Sequence, residues 1–183
     1  MFSFFKKKTV QPVIVAIHGF GKRKTDQLIP LKHFFEANGF EVYCPVLFDQ
    51  TNLNDTNPEE WIQRASETVD SLLAQNKEII LFGFSMGGVI ASSIASTRKI
   101  KKLILLAPAF HYLNVNNITS AVLKQFEADT ENISYDGYIP LPEQFTNTFR
   151  TIVDTHRNDI SAVKCPILIF HGTEIPLFPI PVL

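Results

Sequence analysis

Apolar runs of strand length recur along the chain and alternate with segments of helical periodicity. Five such runs contain almost no polar residues: 13–17, 42–47, 79–84, 103–106 and 167–170. Short continuous apolar runs are typical of strands covered on both faces, as in parallel sheets. The pattern therefore predicts an α/β fold in which helices cover a mostly parallel sheet.

The segments between these runs carry helix signals. The first predicted helix covers residues 26–38 and ends at Gly39, a residue type that favours helix C-termini. The second begins after Asn57, whose side chain can cap the first turn, and has Pro58 at its first position. Trp61 lies on the apolar face of this helix, so we expect it to anchor the core without catalytic work.

The strand pattern lapses between residues 110 and 163. Apolar residues recur at helical spacing within 118–126 and 145–153, and the segment 131–142 is rich in turn-forming residues. We interpret the region as a small helical insertion, or cap, within a single domain comprising residues 1–183. Its aromatic side chains fit either an apolar acyl pocket or the core of the cap: Phe110, Tyr112, Phe126, Tyr138, Phe145 and Phe149.

Charge and composition exclude several classes of function. The 183 residues include 17 Lys and Arg against 18 Asp and Glu, so the chain lacks the positive charge typical of nucleic-acid binding. The glycine-rich segments lack phosphate-binding spacings, and no cluster calls for a metal, a nucleotide or a flavin, so we expect no cofactor. Cys44 and Cys165 fit neither a disulfide framework nor a zinc site, and we expect two buried, reduced thiols.

The N-terminus and the apolar runs carry no pattern typical of a signal peptide or a membrane span. No run approaches the ~18 consecutive apolar residues of a membrane span. Residues 1–8 place phenylalanines before three lysines, which is the reverse of the order in a signal peptide. We interpret residues 1–8 as a terminus exposed to solvent. Contact of this segment with a membrane surface is the alternative. We therefore expect a cytoplasmic protein.

One motif carries candidate chemistry. Residues 83–87 read Gly-Phe-Ser-Met-Gly and lie between an apolar run and a segment of small residues that predicts a third helix. In this context the pattern Gly-x-Ser-x-Gly indicates a nucleophile elbow, because the glycines permit a sharp strand-to-helix turn that exposes the hydroxyl. Ser85 is therefore the predicted nucleophile. The alternative is a glycine-rich turn that only starts a helix.

A nucleophilic serine needs hydrogen-bond donors for the oxyanion that forms on attack. Residues 18–21 read His-Gly-Phe-Gly and follow the first predicted strand, where glycines let the backbone turn and direct amide hydrogens into the site. We predict that the backbone N–H groups of Phe20 and Met86 form the oxyanion hole. An ordinary turn at the strand end is the alternative, and His18 itself is expected to be structural.

Four segments together resemble an α/β-hydrolase over nearly the whole chain: 18–21, 83–88, 105–108 and 166–172. Within that superfamily the chain is most similar to small bacterial carboxylesterases and to the monoacylglycerol-lipase-like, or serine-aminopeptidase-like, group. The resemblance implies a three-layer fold with a short helical cap after the sixth strand. It also implies hydrolysis of small or medium acyl esters through an acyl-serine, with Phe20 and Met86 in the oxyanion hole.

The C-terminal part departs from the family pattern. Family members place their catalytic aspartate where this chain has Ile175, so Glu174, one position earlier, is the remaining candidate for the acid. The family's histidine base lies one strand further on, and the chain ends at Leu183 without a matching histidine. His111 and His156, in or beside the cap, could reach the mouth of the site, but exposed or packing histidines are the commoner case.

Loss of the acid and the base would leave only about 10³–10⁴-fold acceleration over water. Without the last strand and helix, residues 167–170 would form an open apolar edge that invites aggregation. We therefore expect a C-terminally truncated chain with impaired activity. If a frameshift near codon 174 is the cause, another reading frame of the gene encodes a further strand, a histidine and a helix. Nucleotide sequence that lacks them in every frame contradicts the frameshift.

The leading hypothesis is a serine carboxylesterase-type hydrolase, although lipases, thioesterases and peptidases use the same apparatus. Haloalkane dehalogenation is disfavoured, because Ser85 stands where that chemistry needs a carboxylate. The alternative is a non-catalytic α/β-hydrolase remnant or a ligand-binding module that keeps the pocket but not the base. A partner chain that completes the sheet is a third hypothesis, and it predicts dimers.

Overall fold

Five parallel strands form the sheet. The computed structural model describes residues 11–21, 25–111 and 143–172. The strands are β1 (Val13–Ile17), β2 (Val42–Tyr43), β3 (Ile79–Phe84), β4 (Lys102–Leu106) and β5 (Ile167–Phe170). They lie in the order β2-β1-β3-β4-β5, and each neighbouring pair is parallel. The predicted parallel sheet is confirmed, and each of the five apolar runs contributes a strand.

Helices alternate with these strands along the described chain. They are α1 (Ile29–Ala37), α2 (Pro58–Ala74), α3 (Met86–Thr97) and α4 (Glu143–His156), with 3₁₀ turns at Thr25–Leu28 and Asp159–Ala162. The helices predicted at 26–38, after Asn57 and after Ser85 are all present. Within the described ranges, none of the helices combines the length and the apolar character that crossing a membrane requires.

The start of α2 shows how local sequence fixes a helix boundary. The Asn57 side-chain oxygen accepts the backbone N–H of Glu59 at 2.9 Å, which satisfies a donor that has no partner within the helix. One turn later, Trp61 is fully buried, and its indole N–H donates to the carbonyl oxygen of Asp55 at 3.0 Å. The predicted cap and the predicted core role of Trp61 are confirmed.

Strand side chains divide into two apolar clusters, because neighbouring residues of a strand point to opposite faces. Val13 and Val15 pack in the cluster that includes residues of α2, α3 and α4. Ile14 and Ala16 pack in a second cluster with residues of α1 and its preceding turn. All of β1 is buried, which explains why this run is apolar at every position. The predicted three-layer arrangement is confirmed.

Strand β2 is shorter than predicted. The apolar run at 42–47 indicated six residues of strand, and the structure contains two. Pro45 has no N–H to donate to a neighbouring strand, and it also restricts the backbone of the residue before it. The chain therefore leaves the sheet early, and it buries Leu47 and Phe48 fully in the core beside α2.

Residues 112–142, most of the predicted cap insertion, lie outside the described residues. The described remainder forms α4 and the 3₁₀ turn at Asp159–Ala162, and both pack against α3. Three of the aromatic residues assigned to the cap are described, and Phe110, Phe145 and Phe149 are all buried in the main core. They act there as core residues. The cap itself stays a prediction.

Strand β5 is an edge strand whose side chains are open to solvent on both faces. Ile167, Leu168, Ile169 and Phe170 expose 38%, 51%, 46% and 51% of their surface. Leu106, paired in register with Phe170 on β4, is also exposed. Within the described residues the apolar edge expected from the sequence is thus exposed, and such edges template association with other chains.

The two cysteines are free thiols. The sequence analysis predicted buried thiols, and this was wrong in degree, because Cys44 and Cys165 are each half-buried. Partial burial still disfavours the charged thiolate, so desolvation raises the pKa of both groups above the ordinary value. A thiol with a raised pKa is less ionised at neutral pH, so neither cysteine is an activated nucleophile.

Replacement of Leu168 by lysine tests whether the β5 edge drives self-association. We expect Leu168→Lys to shift the protein toward monomer in light scattering over a concentration series, because a charged side chain blunts edge-to-edge pairing. Leu53→Lys is the matched control, since Leu53 is also an exposed leucine but lies outside the sheet. Equal association of the wild type and both variants would contradict the role of the edge.

Candidate active site

Ser85 occupies a sharp turn between β3 and α3. Its backbone has φ 53° and ψ −118°, a conformation that residues other than glycine rarely adopt. Such an outlier costs on the order of 1–3 kcal/mol and persists only where the surrounding structure holds it. The residue is half-buried, so its side chain is neither enclosed in the core nor fully in solvent. The predicted position of Ser85, between a strand and a helix, is what the structure shows.

Glycines on either side of Ser85 allow the turn to close. A methyl group added at Gly83 would lie 2.5 Å from the carbonyl oxygen of Gly87. A methyl group added at Gly87 would overlap the carbonyl oxygen of Ile17 and lie 2.5 Å from that of His18. The first turn of α3 therefore packs directly on the backbone at the end of β1, and only glycine permits this approach.

Backbone hydrogen bonds hold the elbow and leave the hydroxyl unused. The Ser85 N–H donates to Leu106 at 3.0 Å, and the Ser85 carbonyl accepts from Gly88 at 2.9 Å and Ala109 at 3.1 Å. The side chain does not cap α3, although serine often does so at this position. Within the described chain, the hydroxyl has no hydrogen bond. Its oxygen is thus available to a substrate.

The loop predicted to supply an oxyanion donor lies beside Ser85. A methyl group added at Gly19 would be 3.1 Å from the Cβ of Ser85. Two glutamine side chains hold this loop: the Gly19 N–H donates to Gln27 at 3.2 Å, and Gln50 donates to the Gly21 carbonyl at 2.7 Å. The sequence analysis did not identify either glutamine, because both lie outside any motif and meet the loop only in the folded chain.

The two predicted donors differ in their surroundings. The N–H of Phe20 makes no hydrogen bond within the described part of the chain, while the groups on either side of it are bonded. Met86 is the first residue of α3, so its N–H belongs to the first turn and has no carbonyl partner one turn earlier. The structure thus brings both predicted residues near Ser85 and leaves their role as donors a prediction.

His18 is fully buried, and both ring nitrogens are bonded. Leu47 donates its backbone N–H to Nε2 at 3.1 Å, so Nε2 carries no proton. Nδ1 therefore carries the proton and donates it to the Gly19 carbonyl at 2.7 Å. A neutral ring engaged on both sides cannot accept a proton from Ser85, which agrees with the structural role predicted for His18.

The described residues do not bring a base to Ser85. His156 was one alternative, but its Nδ1 contacts Asp159 at 2.9 Å and Ser93 at 3.1 Å. Ser93 is eight residues beyond Ser85, about 12 Å further along α3. Both contacts also use the same ring nitrogen, whereas a catalytic triad uses opposite ones. The contacts of His156 thus lie away from Ser85 and fit a packing role.

The remaining acid and base candidates do not join the site either. His111, the other candidate base, is exposed and makes no hydrogen bond within the described ranges. Glu174, the predicted acid, lies outside the described residues. The part of the chain that the structure describes also contains no group of three or more His, Cys, Asp or Glu side chains arranged to hold a metal ion.

Substitution of Gly87 by alanine tests the close backbone contact that forms the elbow. We expect Gly87→Ala to lower the free energy of unfolding by about 1–3 kcal/mol, because the added methyl meets two carbonyl oxygens that cannot move apart freely. Gly39→Ala is the control: its methyl would meet only the Gln11 side chain, at 3.7 Å, and it adds mainly the strain of a positive φ. Urea unfolding measures both, and a Gly87→Ala cost no larger than that of the control would contradict the contact.

Several solved structures share this architecture. The chain is similar to a structure described under two metagenome-derived lipolytic enzymes, LipS and LipT, with a TM-score of 0.68 and 19% identity over 86% of this chain and 70% of that one. It is similar to the Paleococcus ferrophilus monoacylglycerol lipase, with a TM-score of 0.54 and 19% identity over 85% and 71%. A soluble variant of the Saccharomyces cerevisiae monoglyceride lipase matches with a TM-score of 0.56 and 16% identity over 90% and 68%.

These likenesses concern the fold, because all three identities are below one fifth. The chain spans about 70% of the length of these structures. No curated protein sequence matches significantly. The model of the alpha/beta hydrolase family matches residues 14–172. This range contains the elbow, the predicted oxyanion loop at residues 18–21 and all five described strands except the first residue of β1. The chain is a member of the alpha/beta hydrolase family.

Proposed function

We propose that this chain carries the nucleophile and the oxyanion donors of a serine hydrolase that cleaves small or medium acyl esters. One observation supports the proposal above all others: Ser85 is held at a positive φ between β3 and α3, and its hydroxyl is left unbonded in the described chain. Strain of this kind is retained at functional sites. A turn that only started a helix would not require it.

The proposed reaction proceeds through an acyl-serine. The Ser85 oxygen attacks the ester carbonyl carbon, its proton passes to a base, and the carbonyl oxygen becomes an oxyanion. The N–H groups of Phe20 and Met86 stabilise this oxyanion. The alcohol then leaves with a proton as the carbonyl reforms, and water releases the acid from Ser85 by the same steps. Glu174 is the proposed acid that orients the base.

The proposed substrate class rests on the surroundings of the site and on the structural neighbours. Phe20 is half-buried, and its ring stacks on Phe149 of α4 with centroids 5.2 Å apart, so the oxyanion loop lies against an aromatic surface. An apolar wall of this kind suits an acyl chain. The descriptions of three structural neighbours name lipolytic enzymes and monoacylglycerol or monoglyceride lipases, which favours an ester substrate.

A non-catalytic remnant or ligand-binding module is the second candidate. It is favoured by one observation: none of the described histidines hydrogen-bonds the Ser85 hydroxyl. Without a base the hydroxyl is a weak nucleophile, and a chain of this kind would bind an acyl compound without turning it over. The two candidates therefore differ in whether Ser85 is activated.

A fluorophosphonate probe on the purified protein separates them. We expect stoichiometric labelling of the wild type and none of Ser85→Ala, because the probe reacts only with an activated serine. Ser93→Ala is the matched control and should label like the wild type, although Ser93 also lies on α3 and contacts a histidine. Intact-protein mass spectrometry measures the label. No labelling of the wild type favours the non-catalytic candidate, and labelling without hydrolysis of p-nitrophenyl butyrate indicates a partly assembled site.

A further inference from the structure

Leu47 links α2 to the end of β1 through both of its backbone groups. Its N–H donates to Nε2 of His18 at 3.1 Å, and its carbonyl oxygen accepts from Nη1 of Arg64 at 2.5 Å. Leu47 itself is fully buried. A single immobilised residue thus connects a helix side chain to the ring that precedes the oxyanion loop.

Arg64 is fixed in turn by a buried carboxylate. Its Nη1 donates to the two carboxylate oxygens of Asp55 at 2.9 and 2.8 Å, and Asp55 is almost fully buried. The same carboxylate accepts the backbone N–H of Asp49 at 2.7 Å. Exposed ion pairs hold side chains weakly, whereas a buried carboxylate requires its partners in place. The pair therefore sets the position of the Leu47 carbonyl.

His18 transmits this position to the oxyanion loop. Because Leu47 donates to Nε2, the ring proton is on Nδ1, where it is donated to the Gly19 carbonyl at 2.7 Å. The Gly19 carbonyl and the Phe20 N–H belong to one planar trans peptide unit and point in opposite directions. A hydrogen bond that fixes the carbonyl therefore fixes the direction of the Phe20 N–H.

We propose that Arg64 is a positioning residue for the oxyanion hole: paired with Asp55, it holds Leu47, which selects the Nδ1–H tautomer of His18 and so aims the Phe20 N–H. The inference rests on the proposed function, in which that N–H binds the oxyanion. Within the described chain Arg64 makes no hydrogen bond to Ser85 or Met86, so its proposed effect on the reaction passes through Leu47 and His18 to the peptide unit between Gly19 and Phe20.

The tautomer of His18 is the first test, and it needs no activity. Imidazole ¹⁵N shifts of the wild type at neutral pH should show Nδ1 protonated and Nε2 unprotonated. In Arg64→Met, with the Leu47 carbonyl released, the two ring nitrogens should move toward the averaged shifts of exchanging tautomers. A protonated Nε2 in the wild type, or an unchanged tautomer in the variant, overturns the proposal.

The rate of fluorophosphonate labelling at Ser85 is the second test. We expect Arg64→Met to slow labelling about tenfold or more, because a misdirected oxyanion donor loses much of its effect. Arg98→Met is the matched control: Arg98 pairs with Asp70 on the same helix α2, and its hydrogen bond holds the pKa of Asp70 below the ordinary value. This variant also loses an arginine–aspartate pair but has no link to Leu47, so its labelling should stay within about twofold of the wild type. Equal slowing in both variants overturns the proposal.

Two further measurements keep the outcomes separate. If Arg64→Met does not fold, Arg64→Lys takes its place. Lysine retains the charge beside Asp55 but loses the planar guanidinium. We expect this variant to label more slowly than the wild type but faster than a protein whose Phe20 N–H is not held in place. A rate equal to the wild type would count against the proposal. If the wild type does not label at all, the proposed function fails, and the imidazole shifts alone then decide whether Arg64 controls His18.

Discussion

The geometry of the candidate active site depends on one close approach between backbones. The first turn of α3 lies against the carbonyl oxygens of Ile17 and His18, and only the absence of a side chain at Gly87 allows this. Gly88 also lacks room for a side chain, because a methyl group there would lie 2.8 Å from the Cβ of Pro108, in the loop after β4. The elbow is thus wedged between the ends of β1 and β4. Because Ser85 is also held by backbone hydrogen bonds to that loop, its unusual φ is over-determined by its surroundings.

Apolar packing and buried hydrogen bonds together hold the predicted oxyanion loop at residues 18–21 in place. Phe48 stacks on Trp61 with centroids 4.2 Å apart, and the edge of His18 packs on the same phenylalanine. These rings form a rigid support, since buried aromatic side chains have few accessible rotamers. The hydrogen bonds around His18 and Leu47 then fix orientation, which apolar packing alone does not do. The residues that support the predicted donor loop are therefore also residues of the core.

The candidate site and the exposed strand lie in different parts of the described sheet. Nucleophile and donor candidates all lie at the carboxyl ends of β1 and β3, in the centre of the sheet. At the other end of the strand order, β5 has solvent on both faces and on its outer edge. An exposed apolar strand costs stability and promotes association. This association-prone strand is separate from the candidate site.

Local sequence determined the strands, the helix starts and the elbow, because each depends on residues only a few positions apart. The apolar runs indicated where the five strands lie, Asn57 and Pro58 indicated the start of α2, and the pattern around Ser85 indicated its turn. Only the tertiary structure decided the rest. Arg64 meets Leu47 from 17 positions away, and Leu47 meets His18 from 29 positions away, so no motif records either contact. His156 likewise looked available in the sequence, but the packing of α4 on α3 directs its ring to Ser93.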